Sequence, residues 1–186
     1  LSWRLRPLPW APLRGRLVGA FGDEGRFEGW IRAGWRGPAG RVELSAVEAV
    51  LPLSLFAAHL ARQGLAVDGV LSLDLPSLEL VGGAPRRAAG ELRLRGFKAL
   101  QPMAMGLGDF RGELSPAGEG LRVVLRDEGG PLALDGLLLL EPTGSYTFSA
   151  ALNPRDPQNR ELATVLSFLG RPDRDGVIKL DGAGKL

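Results

Sequence analysis

Three features predict a mainly β protein, a strongly curved antiparallel sheet (half-barrel or taco-like) with two short helices. Leucine alternates with charged or small residues at period two, turn residues recur at short intervals, and only two stretches show a helical period. In Arg41 to Ala46, for example, Val42, Leu44 and Ala46 point one way while Arg41, Glu43 and Ser45 point the other, as in a sheet with one buried and one wetted face. Two short helices are too few to cover so many one-sided strands, so the sheet is expected to curl on itself. Curling leaves either a packed core or an open apolar groove, and the sequence is compatible with both.

Residues 1–13 hold Pro7, Pro9 and Pro12, which fix φ and remove donors, so this stretch reads as an extended lead-in. From Arg14 the chain breaks into short strands: RGRLVGAF, RFEGWIRAGW and GRVELSAV. Over Leu53 to Gln63 the period changes, with Leu53, Phe56, Ala57, Leu60 and Ala61 at helical spacing, Pro52 suited to the first turn and Gly64 as the stop. Strands resume at Gly69, with Leu71, Leu73 and Leu75 on one face, and ELRLR repeats the pattern at Leu92 and Leu94. Between Gly96 and Gly108 the pattern weakens around Pro102, Met103 and Met105, which predicts an irregular connection. Short strands follow at 111–114, 121–126, 132–140 and 145–152, separated by turn residues. A second helix is expected over 158–169 and a last strand over Gly176 to Leu180 or slightly beyond.

The two helical stretches begin similar series. LSLFAAHLARQG is followed by LAVDGVLSLDL, and LATVLSFLG by RPDRDGVIKLDGAGKL. Gly64 matches Gly170, and after one residue of slippage Asp68-Gly69-Val70 matches Asp175-Gly176-Val177. Upstream, Gly29 to Val50 resembles Gly136 to Asn153. A duplicated hairpin-helix-strand unit is one reading, giving a single curved domain over 14–186 with related halves at about 14–95 and 109–186. Similar hairpins arising by chance in a β-rich chain are the other.

With 45% hydrophobic and 24% charged residues and a net charge of +2, the composition is that of an ordinary globular protein. Arginine alternates with glutamate along the strands instead of gathering on one face, which argues against nucleic-acid binding. No run of about 18 apolar residues occurs, and the absence of cysteine excludes disulfides and thiolate chemistry.

No constellation of catalytic residues emerges. His59 is the one histidine and sits within the first helical stretch, so a nucleophile-base-acid triad has no base. Asp173, Asp175 and Asp181 superficially resemble a calcium loop, but the twelve-position ligand series is absent, and Asp beside Gly is ordinary turn chemistry. Gly82-Gly83 and Gly129-Gly130 do not sit between a strand and a helix, as a phosphate-cradling loop would. Trp3, Trp10, Trp30 and Trp35 cluster early, and filling of a core or groove, a partner interface and membrane-proximal anchoring all fit. The expectation is a protein with no enzymatic activity, no cofactor and no metal.

An unclosed sheet leaves two edge strands whose backbone groups can pair with another chain. The stretch before Arg14 is blunted by its prolines. The last strand is not, and Val177, Ile178, Lys179 and Leu180 are the expected partner-facing edge.

Five segments carry a family resemblance: Leu51-Pro52-Leu53-Ser54-Leu55, Gly69 to Leu75 (GVLSLDL), Gly108 to Leu114 (GDFRGEL), Gly129 to Gly136 (GGPLALDG), and Leu169 to Asp173 (LGRPD) with Gly176 and Leu186. In that order and spacing the chain resembles the general secretion pathway protein N family of the type II secretion system, well over 47–186 and loosely before. The resemblance implies a periplasmic domain on the inner membrane, held by an N-terminal anchor upstream of Leu1, with residues 1–13 as a membrane-proximal lead-in. A sequence starting at Leu1 instead of Met fits a processed or cut product. The resemblance implies no catalytic residues. The expected function is a non-enzymatic assembly component that contacts other secretion proteins. A carrier of lipid or another hydrophobic ligand, using an apolar concave sheet face, is the alternative.

Overall fold

Alternating leucines need a strand partner on each side, and the chain supplies those partners in strict succession. The computed structural model describes residues 13–21, 25–34, 40–62, 66–82, 84–101 and 103–185. Ten strands follow one another: β1 (Leu13–Phe21), β2 (Gly25–Gly34), β3 (Arg41–Pro52), β4 (Val67–Val81), β5 (Ala84–Ala99), β6 (Met105–Ala117), β7 (Gly120–Asp127), β8 (Leu132–Leu140), β9 (Ser145–Pro154) and β10 (Ile178–Lys185). Each pairs antiparallel with the next, and order in space is order in sequence. The sheet is open: β1 pairs only with β2, and β10 only with β9, among the described residues.

The register sorts the side chains into two faces. One cross-strand row runs Ala49, Leu73, Leu92, Gly112, Leu125, Gly136, Ala150 and Leu180, from β3 to β10. The next row, on the other face, includes Glu48, Asp74, Glu91 and Glu113, and the row beside that one Arg93, Arg111 and Arg126. Neighbouring rows neutralise each other, with Arg111 Nη2 2.6 Å from Glu91 Oε2, as expected of a wetted sheet face. Trp30 also lies on this face, 54% exposed, and is not a core residue. Trp3, Trp10, Trp35 and the lead-in before Leu13 lie outside the described residues.

The sheet is bent in its middle. Ala88 of β5 shares a buried cluster with Leu121 of β7 and Leu140 of β8. In a flat sheet β5 and β7 would be about 10 Å apart, too far for an alanine to reach. Gly112 of β6 makes room for the bend. A Cβ there would come within 2.7 Å of the Leu92 side chain and 2.9 Å of that of Leu125, so a larger residue would push both neighbours away.

A helix caps the apolar face near β10. α2 (Arg160–Ser167) starts at Asn159, whose side chain accepts the Leu162 N–H at 3.0 Å, with Glu161 in its first turn. Its Leu162 and Leu166 are fully buried against a cluster that includes Phe110, Leu132, Leu152 and Ile178.

The first expected helix differs. Leu53–Phe56 form a 3-10 turn with no side-chain cap, followed by the six-residue α1 (Ala57–Arg62). Leu53 is half-buried, while Phe56, Ala57 and Ala61 are exposed, so their periodic spacing does not build a packed stripe. Among the described residues there is therefore one capped, docked helix in place of a packed pair. A hydrophobic period without a cap or a surface to cover is too weak to propagate a helix.

The expected irregular stretch at 96–108 is mostly strand, because β5 continues to Ala99 and β6 begins at Met105. Bulges between Leu94 and Lys98, with Gly96 at φ 59°, interrupt the alternation there without ending the pairing. Pro76 likewise does not end β4. It falls in the register shift between Asp74 and Ser77, where a missing N–H does least harm.

Candidate interaction surfaces

Strict alternation of strand direction puts the connections after odd-numbered strands at one end of the sheet and those after even-numbered strands at the other. The two ends differ in chemistry. At the first end Leu55 and Phe56 follow β3, Leu100 and Met103 follow β5, and Phe168 and Leu169 follow β9, all exposed, with Phe168 the most so at 74%. At the other end the described turns, Gly82, Gly118–Glu119 and Glu141–Gly144, carry no large apolar side chain.

Carboxylates at the apolar end serve its turns. Asp127 accepts the N–H of Leu134 and of Gly129, both at 3.1 Å, and pairs with Arg155. Partial burial works to raise its pKa, but those two N–H groups and the Arg155 charge outweigh it and hold the carboxyl below the usual range. Asp68 is lowered chiefly by its hydrogen bond with Lys98, then by the Gly69 N–H. Asp173 accepts the N–H groups of Asp175 and Val177, each at 3.0 Å, and lies 3.8 Å from Lys179. Asp173, and Asp127 through Arg155, thus hold the connection between β9 and β10 that displays Phe168 and Leu169, while Asp68 joins the start of β4 to the end of β5.

The second surface is the outer side of β10. The strand starts at Ile178 and runs to Lys185, further than the expected end at or slightly beyond Leu180. Val177 is not part of it, because its N–H and C=O both bond within the Asp173 turn. Ile178 is buried, Leu180 is half-buried and Lys179 is exposed. The exposed stretch is Asp181 to Ala183, which sequence reasoning passed over because Asp-Gly and Gly read as turn signals. Tyr146 explains how glycine persists in this strand, since its ring lies over Gly184, where a Cβ would come within 2.5 Å of the hydroxyl.

The third surface is the apolar face itself. Leu71, Leu73, Leu92, Leu114, Leu125 and Leu138 are only half-buried on it. No group of three or more metal-ligating side chains forms among the described residues. His59 lies on α1, and its side chain is outside the described set. Asp173 and Asp175 share one turn, while Asp181 lies within β10.

Comparison with known proteins relates this sequence to a family of secretion proteins. The family described as "Type II secretion system (T2SS), protein N" matches residues 1–181. A relative from Klebsiella pneumoniae, "Type II secretion system protein N", is 33% identical over 134 residues, which is 69% of this chain and 53% of the relative. The match thus spans about half of that relative's length. No solved structure matches the chain. The segments around Leu51, Gly69, Gly108 and Gly129 fall within the family match, and the chain belongs to the type II secretion system protein N family.

Proposed function

We propose that this chain is a non-enzymatic component of the type II secretion apparatus, on the periplasmic side of the inner membrane, working through contacts with other secretion proteins. The observation that carries the reading is a pair of unfinished surfaces: the unpaired edge of β10, with exposed Phe168 and Leu169 in the connection leading to it, and the end of the sheet at which Phe56 and Leu100 are exposed as well. Exposed backbone donors and acceptors offer a partner strand its hydrogen bonds, and the apolar loops next to them add area that gains by losing water. A single histidine and no cysteine leave little for acid-base or covalent catalysis.

Proline scanning of the edge tests this. Adjacent strand residues direct their N–H groups to opposite sides, so of Gly182→Pro and Ala183→Pro one removes an outward donor and the other breaks the β9 ladder. Cross-linking to envelope proteins should be lost in the variant that keeps its melting temperature. Undiminished cross-linking in that folded variant would refute the edge reading.

A second reading has its own observation, the half-buried leucine face. If the bend continues as an open trough, that face would accept an acyl chain. Native mass spectrometry of the purified domain would show co-purifying lipid if it does.

A further inference from the structure

The side chains of Asp181 and Lys185 of β10 have no hydrogen-bonding or ion-pair partner among the described residues, although they point the same way from an exposed strand. Lys179, two residues earlier on that face, already has Asp173 at 3.8 Å. Two opposite charges four residues apart on one edge are self-complementary. An antiparallel copy of the same strand sets each opposite the other.

We infer that β10 pairs antiparallel with β10 of a second copy about a two-fold axis at Ala183, opposing Asp181 and Lys185 across the junction twice. The inference rests on the edge reading above and names its partner. The register follows by comparing the axes, of which one at Gly184 would set Lys185 opposite Ala183 and leave Asp181 with no opposite residue. Residues directly opposite in an antiparallel pair point to one side of the sheet, so a two-fold normal to the sheet permits only axes through a residue. An axis at Lys179 or Asp181 would oppose like charges to themselves, and one at Gly182 would oppose Lys179 to Lys185. An axis at Leu180 would oppose Lys179 to Asp181, but it would draw on the lysine already beside Asp173 and crowd the 171–177 turn bonded next to Ile178. The axis at Ala183 uses the exposed stretch, where Gly182 faces Gly184 and nothing lies within 4 Å of a Cβ built on Gly182. Glycine in a strand suits a site where another backbone approaches closely.

The pairing keeps both apolar faces on the same side. Leu180, Gly182 and Gly184 share the face of Ala150, Phe148 and Tyr146 in each copy, so the leucine face continues across the junction. A two-fold contact also consumes the edge in both copies and closes, whereas β10 against β1 of a next copy would leave an open edge at each end. On β1, Arg16 is already paired with Glu28.

The chain has no native cysteine, so a single introduced one reports only on self-pairing. At the axis two Cα atoms sit about 4.5–5.5 Å apart, within disulfide reach. Ala183→Cys should therefore give a disulfide-linked dimer under mild oxidation. Leu180→Cys should not, since its two copies would be about 20 Å apart along the strands at 3.3 Å per residue. Reversing one charge, Asp181→Lys or Lys185→Asp, turns both attractions into repulsions and should weaken self-association about tenfold. The double swap should restore it, which a merely structural role for either residue would not predict.

A monomer at every concentration tested, or cross-linking at Leu180→Cys in place of Ala183→Cys, overturns the inference. If the chain stays monomeric while the edge proline still abolishes cross-linking to envelope proteins, the second copy is wrong and the edge reading stands. If the proline abolishes neither, both fail.

Discussion

Replacing Leu162 with alanine should be among the most damaging single changes available, and the structure bounds the cost. Leu162 has no exposed surface and anchors α2 over Phe110, Leu132, Leu152 and Ile178. Truncating a buried leucine costs about 2–5 kcal/mol, less where neighbours can settle into the gap. α2 is a two-turn helix docked on one face, free to slide inward by a fraction of an ångström, so a value near the lower end, about 2–3 kcal/mol, is expected. For a domain of this size each kcal/mol lowers Tm by about 2–4 °C, giving a drop of about 4–12 °C. Phe168→Ala, just past the helix and 74% exposed, should stay within about 0.5 kcal/mol of the parent. Thermal unfolding followed by circular dichroism compares the two directly. Equal melting temperatures would mean that α2 does not cover the sheet, and the apolar face would then lack its one helical cover.

Two further changes test the sheet and its loops. Gly112→Ala inserts a methyl group between Leu92 and Leu125 in the bent region and should destabilise by about 1–3 kcal/mol in chemical denaturation; an unchanged midpoint would place the bend elsewhere. Asp127 has a lowered pKa in the fold, so its contribution is complete above its unfolded value near pH 4 and is lost as the pH falls through the folded value. The stability gap between the parent and Asp127→Asn should therefore narrow on acidification below about pH 4, and a gap independent of pH would contradict its pairing with Arg155 and two backbone N–H groups.

The one-sided sheet was legible because alternation is a local signal: Leu71, Leu73 and Leu75 show it without reference to any partner strand. The second helix was expected over 158–169, and the structure places α2 within that range, capped by Asn159 and with Leu162 and Leu166 buried. Three features were not legible. Bulges near Gly96 and Pro76 shift the phase of alternation, so continuous strands read as broken ones. The Leu53 to Gln63 stretch has a helical period, but whether a helix propagates depends on a surface to cover, which lies elsewhere in the chain. The full length of β10, expected to end at or slightly beyond Leu180, was not legible because Asp181, Gly182 and Gly184 favour turns in isolation, and the pairing with β9, helped by Tyr146 over Gly184, extends it. The apolar end could have been found sooner. Counting ten alternating strands places the Phe56, Leu100 and Phe168 connections at the same end, and that count needs only the sequence.

The central claim is that exposed apolar side chains at that end serve contacts within the secretion apparatus. The most direct measurement is a secretion assay with Phe168→Ser and Leu169→Ser together, in cells where the full-length protein replaces the native copy. Both side chains are exposed, so folding and protein level should hold, and export of a type II substrate should fall together with recovery of the protein in cross-linked envelope complexes. Full export and unchanged complexes, at normal protein level, would contradict the account.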